Sequence, residues 1–241
     1  MSFINTNELC TGCNKCIRNC PIFPSNSAVE NNKVNVVLDA CIDCGECIDV
    51  CTHNAREYTD DTKEFFDAVK NGQKITVVIA PAFIANYPTQ YKRILGYLKE
   101  LGVSHIYSVS FGADICTWGY LKYFEKTGKK GMISSPCPAV VDYIEKYRKE
   151  LIEYMMPVYS PVMCMAKYLK KYEHITEKIA FLSPCIAKKS EINDKNCEQL
   201  ISYNVTFNNF MDYIGDAYKT AREYNDELAY GLEVCILCLA A

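Results

Sequence analysis

Cysteine spacing carries the first chemical information in this sequence. Cys10, Cys13, Cys16 and Cys20, followed by Pro21, form C-x2-C-x2-C-x3-C-P, and Cys41, Cys44, Cys47 and Cys51 repeat the spacing with Thr52 in place of the proline. Two residues between thiolates let one compact loop wrap three corners of an iron–sulfur cubane, while the fourth cysteine of each run reaches the other cluster. The spacing therefore assigns Cys10, Cys13, Cys16 and Cys51 to one [4Fe–4S] cluster, and Cys41, Cys44, Cys47 and Cys20 to a second. Gly12 and Gly45 fall inside the loops, where a missing Cβ leaves room for a cluster. Zinc is the competing occupant, but zinc sites use paired C-x2-C units and four ligands per ion, not two runs of four. The expected chemistry is electron transfer.

Composition sets the context for those thiols. The chain has 241 residues, 15 of them cysteine, with 49% apolar and 23% charged side chains and a net charge of -3. So many cysteines mean either an oxidised secreted scaffold or a metal protein. Residues 1–9 have no basic or apolar signal region, and the longest mostly apolar stretches, 75–87 and 232–241, are too short to span a bilayer. The expectation is a cytoplasmic chain whose thiols stay reduced and available as ligands. The small negative charge gives no electrostatic reason to bind nucleic acid or an anionic membrane. Eight of the cysteines lie in the first 51 residues. Residues 1–60 hold 4 basic and 8 acidic side chains, net -4, against 22 and 21, net +1, in residues 61–241. The sequence therefore divides into a dicluster [4Fe–4S] ferredoxin domain over 1–60 and a second domain over 61–241.

The second part must supply whatever the electrons reach, and its pattern alternates. Helices are expected over 63–71, from Pro88 to 101, over 113–127, from Pro138, from Pro161, and from Thr206 to about 221. Strands are expected at 75–80, 103–109, 131–134, 178–182 and 201–205, the first as a continuous apolar run buried on both faces. The fold class is thus an α+β dicluster ferredoxin module followed by an α/β domain with a mostly parallel sheet. Such sheets form sites at their strand carboxyl ends. Ser135-Pro136-Cys137 and Ser183-Pro184-Cys185 each follow an expected strand, and Cys185 is trailed by Lys188 and Glu191. From the residues alone, Cys137 and Cys185 are either a convergent site or two ordinary buried thiols. Lys188 and Glu191 alone read equally as an exposed charge pair at a helix start. Cys116, Cys164 and Cys197 lack partners at ligand spacing and read as core thiols. Met155, Met156, Met163 and Met165 read as packing residues, His53, His105 and His174 as isolated, and Tyr143, Tyr147 and Tyr154 as an amphipathic surface.

Several of these segments resemble one family. Pro184-Cys185-x-x-Lys188-x-x-Glu191 resembles the P-C-x-x-K-x-x-E motif of [FeFe] hydrogenases, Ser134-Ser135-Pro136-Cys137-Pro138 resembles T-S-C-C-P, and Phe111-Gly112-Ala113-Asp114 resembles F-G-A-D. The eight-cysteine segment with Cys51-Thr52-His53-Asn54-Ala55-Arg56 is similar to the sensory, PAS-linked members, and the resemblance covers about residues 1–232. It implies that Cys137 and Cys185 match two of the four cysteines holding a third [4Fe–4S] cluster, which bridges to a diiron site to make the family's H-cluster. It further implies that Lys188 matches the lysine that hydrogen-bonds a cyanide ligand, and Glu191 the glutamate after it.

The departures from the family pattern shape the functional expectation. Pro136 occupies the position of the proton-relaying cysteine, and Ser183 that of a methionine beside the diiron site. The third motif, E-x-M-x-C-x-x-x-C, is missing; Glu233-Val234-Cys235-Ile236-Leu237-Cys238 imitates it only superficially, and the tail reads as that of a truncated or frameshifted gene. The resemblance then implies an iron–sulfur electron-transfer or redox-sensing protein with two [4Fe–4S] clusters, serving a redox partner protein or regulatory domain. An active hydrogenase interconverting protons and H2, and a catalytically empty partner-binding scaffold, are its alternatives. A 60-residue segment has little core of its own, so removing its iron is expected to unfold residues 1–60. Far-UV circular dichroism unchanged after chelation and oxidation would contradict this.

Overall fold

The computed structural model describes residues 3–23, 25–28, 33–226 and 228. The cysteine-rich segment builds two small antiparallel ladders and two short helices. Strand β1 (Ile4–Thr6) pairs with β4 (Arg56–Tyr58), and β2 (Asn26–Ala28) with β3 (Val34–Val36). Helix α1 (Lys15–Asn19) follows the first cysteine loop and α2 (Glu46–Asp49) the second. Its largest buried cluster contains Ile4, Val34, Cys16, Cys41 and Cys47, so thiols occupy places that aliphatic side chains fill elsewhere.

The chain continues through α3 (Thr62–Lys70), β5 (Ile75–Ile79), α4 (Ala82–Asn86), α5 (Tyr91–Glu100), β6 (His105–Ser108), α6 (Ser110–Thr127), α7 (Pro138–Tyr147), α8 (Pro161–Lys171), β7 (Lys178–Ser183), α9 (Lys188–Asn193), β8 (Tyr203–Thr206) and α10 (Phe207–Ile214). The four strands form one parallel sheet in the order β6-β5-β7-β8. Every residue of β5 is buried, as are the last five of β7, because helices cover the sheet. The order reverses between β5 and β7, and at such a switch point the carboxyl ends of an open sheet leave a crevice. Cys185 lies two residues beyond the end of β7, at that edge.

Some elements differ from the sequence pattern for local reasons. Residues 131–134 are no strand: Gly131 has φ +68°, and a single bridge joins Ile133 to Met155. Cys137 is therefore presented by the N-terminus of α7, with Pro138 in its first turn. Pro88 does not open α5. A residue before proline avoids the helical region, so α4 ends at Asn86, and α5 restarts at Tyr91. The last helix stops at Ile214 because Gly215 takes φ +50°, leaving only a short 3-10 turn over Ala217–Thr220. Among the described residues no helix is long and apolar enough to cross a membrane.

Polar contacts seat the cysteine-rich segment against β8, α7 and α9. Asp60 accepts from the Thr206 backbone N–H at 2.8 Å and from its hydroxyl at 2.6 Å. Asp61 accepts from the Asn204 N–H at 2.9 Å and pairs with Lys189 at 3.0 Å. Tyr58 meets the Thr206 hydroxyl at 2.9 Å, and Lys146 and Tyr147 of α7 donate to the Cys41 and Ala40 carbonyls, both at 2.6 Å.

Helices α6 and α8 touch through glycine. A Cβ on Gly112 would lie 2.2 Å from the Pro161 carbonyl oxygen and 2.7 Å from Met165 Cβ, whereas one on Gly119 would meet only Val158 Cγ1, at 3.0 Å. Replacing a helical glycine by alanine gains about 1 kcal/mol of helix propensity, while overpacking a tight contact costs about 1–3 kcal/mol. Gly119→Ala is therefore expected to leave the denaturant midpoint near that of the parent, and Gly112→Ala to lower it clearly. Equal midpoints for the two variants would show that α6 and α8 can separate freely.

Candidate metal centre

Cys10, Cys13 and Cys16 line one cavity together with Cys51, which arrives from the far end of the second run, and with His53 and Arg56. The loops that present the thiols use left-handed backbone twice each: Gly12 (φ +69°) and Asn14 (φ +58°) in the first, Asp43 (φ +52°) and Gly45 (φ +88°) in the second. Clearance does not explain Gly45 on the protein side, since a Cβ there would make only an ordinary 3.6 Å contact with Ile186 Cδ1. Its positive φ does. Burial raises the Cys51 thiol, but backbone N–H groups of Ala55, His53 and Arg56 outweigh it and hold the group below its usual range. The Ala55 N–H donates to its sulfur at 3.4 Å.

Arg56 is the buried cation of this site, and sequence spacing gave it no role beyond its place in the resembling segment. The residue is 5% exposed. It donates to Thr6 Oγ1 and Asn26 Oδ1, each at 2.6 Å, and to Cys16 Sγ at 3.3 Å. A basic side chain five residues after the last cysteine of a run is the only sequence signal for it.

The second run gathers differently. Burial pushes the Cys47 thiol up to about 12, with Arg56 opposing and Cys41, Cys44 and Cys16 adding to the rise. Cys44 is raised chiefly by burial, and Cys20 is among its charge neighbours. The Asp43 N–H donates to Cys41 Sγ at 3.3 Å. Among the described residues no three Cys, His, Asp or Glu side chains converge where a single ion would sit. The donor set nevertheless suits an iron–sulfur group: sulfur ligands only, N–H donors to several sulfurs, and a buried cation beside them.

The two Ser-Pro-Cys segments come together at the sheet edge. Exposed Cys137 lies close enough to half-buried Cys185 for a charge on one to raise the other, although burial is the larger cause of the upward shift at Cys185. Ser183 Oγ accepts from the Cys185 N–H at 3.0 Å and lies 3.1 Å from its carbonyl, closing that turn, while Ser135 Oγ donates to the Met156 carbonyl at 3.0 Å. Lys188 ties the segments together, donating to the Pro136 carbonyl at 2.9 Å and to Glu191 at 2.5 Å. Their side chains are only 12% and 15% exposed, so this is no surface charge pair. Cys185 also lines a cavity with Cys44, and packs with Cys20 against Ile22, Ile42, Ala139 and Ala187.

The remaining thiols are buried, as expected of core residues: Cys116 on α6, Cys164 on α8, where its sulfur donates to the Tyr159 carbonyl at 3.4 Å, and Cys197 beyond α9. Burial is the largest cause that raises the Cys197 thiol to about 11. Cys235 and Cys238 lie outside the described residues.

Comparison with known proteins follows the same division. The profile described as "Iron only hydrogenase large subunit, C-terminal domain" matches residues 73–230, and a "4Fe-4S dicluster domain" matches residues 2–52. The chain is 23% identical over 224 residues to the cytosolic Fe-S cluster assembly factor NAR1 of Kluyveromyces lactis, covering 86% of this chain and 47% of the relative. It is 21% identical over 191 residues to the nuclear prelamin A recognition factor of Xenopus laevis, covering 66% and 42%. To the NADP-reducing hydrogenase subunit HndD of Solidesulfovibrio fructosivorans it is 24% identical over 186 residues, covering 66% and 32%. The chain thus spans half or less of the length of these relatives. A dicluster iron–sulfur segment joined to a parallel sheet with paired Ser-Pro-Cys turns at its edge agrees with the profile match, and the chain belongs to the iron-only hydrogenase large-subunit family.

Proposed function

We propose that this chain is a cytoplasmic iron–sulfur electron carrier, with residues 1–60 as its cluster-bearing domain and 61–241 as a hydrogenase-like α/β domain. Cys10, Cys13, Cys16 and Cys51 hold one [4Fe–4S] cluster, and Cys41, Cys44, Cys47 and Cys20 hold the other. The observation that carries the reading is the position of the second thiol set: Cys44 shares a cavity with Cys185, and Cys20 shares an apolar contact cluster with it. Electrons entering at the first set would leave beside the Cys137–Cys185 turn. The clusters supply one-electron chemistry; the protein supplies their position, their N–H donors and the buried charge of Arg56. Hydrogen turnover is not part of this reading. Pro136 has no side-chain proton to relay, and Lys188 is already engaged by Glu191 and the Pro136 carbonyl. The recipient is a redox partner protein or a regulatory domain.

A second reading, delivery of a cluster to another protein, is favoured by one observation. Cys137 is exposed while its neighbour Cys185 is half-buried, the arrangement of a thiol that a client can reach. Two of the relatives above are named for cluster assembly and prelamin A recognition, not for electron carriage. Loss of a cluster to an apo-ferredoxin at a rate that Cys137→Ser slows would favour delivery over electron carriage.

Two measurements test the primary reading. Anaerobic reconstitution is expected to load about 8 iron atoms per chain, as two cubanes require, and Cys137→Ser should leave that count unchanged; a count fitting a single cubane would reject the ligand assignment. Removing a buried cation and an N–H···S donor disfavours the more negative, reduced cluster. Arg56→Leu is therefore expected to make one midpoint potential more negative in an EPR-monitored redox titration, with Arg56→Lys falling between. Unchanged potentials would remove Arg56 from the site.

A further inference from the structure

We propose that the cavity between α7, α9 and the start of α8 binds a small aliphatic diamine, whose ammonium groups meet Asp142, Asp194 and the Ser160 hydroxyl. The cavity holds about 190 Å³, below the roughly 300–1,000 Å³ of pockets for drug-sized ligands. Asp142 of α7, Ser160 just before α8, Glu191 of α9 and Asp194 just after it all border this space. Neither Cys137 nor Cys185 does. One polar group at the cavity has no use within the described residues. Ser160 is 2% exposed, yet its hydroxyl neither caps α8 nor has any other hydrogen-bond partner. Buried polar groups are nearly always paired, so an orphan beside a cavity points to an occupant.

The surrounding charges select a cation. Of the three carboxylates, Glu191 is paired with Lys188. Asp142 accepts from the Ser190 hydroxyl at 3.1 Å and Asp194 from the Asn196 N–H at 2.7 Å, neutral donors both. Lys146, on the same helix as Asp142, donates to the Cys41 carbonyl. Burial raises the Asp142 carboxyl above its usual range; Ser190 and Lys146 oppose this, while Asp43 and Asp194 add to it. The start of α8 offers only about half a unit of positive charge, less than two unpaired carboxylates. Shape then narrows the class. Among the described residues no three carboxylates, thiols or imidazoles converge where a single ion would sit, so the carboxylates suit separated charges better than one metal ion. Between them Pro138, Val141, Met155 and Val158 supply an apolar wall, along which a short methylene chain can lie with its charged ends on the polar groups. An ammonium donates to carboxylate and hydroxyl oxygens alike, which gives the Ser160 oxygen its missing partner.

The test is isothermal titration calorimetry of the iron-replete full chain with putrescine. The expected result is one molecule bound per chain with a Kd below about 1 mM, weakened at least about tenfold by Asp142→Asn and by Asp194→Asn. Should Asp142→Asn fail to retain its clusters, Asp194→Asn, outside the helices, decides alone. Glu150→Gln, at an exposed carboxylate paired with Arg148, should bind as the parent does. Absence of binding to the parent would overturn the proposal, and so would equal weakening by Glu150→Gln, which would mean a diffuse attraction to surface charge. Binding of inorganic phosphate that Ser160→Ala abolishes would also overturn it, since the cavity would then be an anion site. Iron count and midpoint potentials, which test electron carriage, play no part in this titration, so the two readings can fail separately.

Discussion

Asp60 is the fastening on which the arrangement depends. Its carboxylate accepts from the backbone N–H and hydroxyl of Thr62 and from the backbone N–H and hydroxyl of Thr206. One charge therefore starts α3, ends β8 and fixes where β4 leaves the cysteine-rich segment. Hydrogen bonds to charged groups contribute about 1.5–3 kcal/mol each, though not additively. That matters because the segment it anchors has a core made largely of thiols, with Ile4 and Val34 as the aliphatic members of its main buried cluster. Asp61, bonded to Asn204 and paired with Lys189, extends the same anchorage to the neighbouring turn.

The seating places one thiol set, and not the other, beside the sheet edge. Cys20 and Cys44 face the Cys185 turn, whereas Cys10, Cys13 and Cys51 share their cavity with Arg56 and His53. Two-ended geometry of this kind suits a relay. At the sheet edge, Lys188 is the counterpart of Asp60: a charge held by Glu191 that spends its remaining hydrogen bonding on the Pro136 carbonyl, 52 positions away. Burying such an ion pair is justified by position more than by stability, since buried pairs recover little beyond their desolvation. Here the position is the convergence of Cys137 and Cys185.

Much of this was legible in the residues. The proposed interleaved grouping of the eight cysteines rests on their spacing, and the parallel sheet follows from β-branched runs such as Ile75–Ile79. Pro138 and Pro161 stand in the first turns of α7 and α8, where a missing N–H goes unneeded. Local reading failed where a tertiary partner outbid a local preference. Thr206 sits at the helix start, but its hydroxyl goes to Asp60 and not to α10. Gly131 bent the chain where a strand was expected.

The sequence by itself determined the ligand chemistry, because cysteine spacing is a local property and a cubane needs only short loops to receive it. It also determined the class of sheet, because burial on both faces writes itself as an unbroken apolar run. Only the tertiary structure decided that Arg56 is buried among the thiols, that Lys188 faces inward, and that Cys116 and Cys164 are buried on the tightly packed helices α6 and α8. The physical reason is the same in each case. A long side chain or a lone thiol has no periodicity of its own; which way it points is fixed by the element packed against it, and here that element is a glycine-tight helix pair or the carboxyl edge of the sheet.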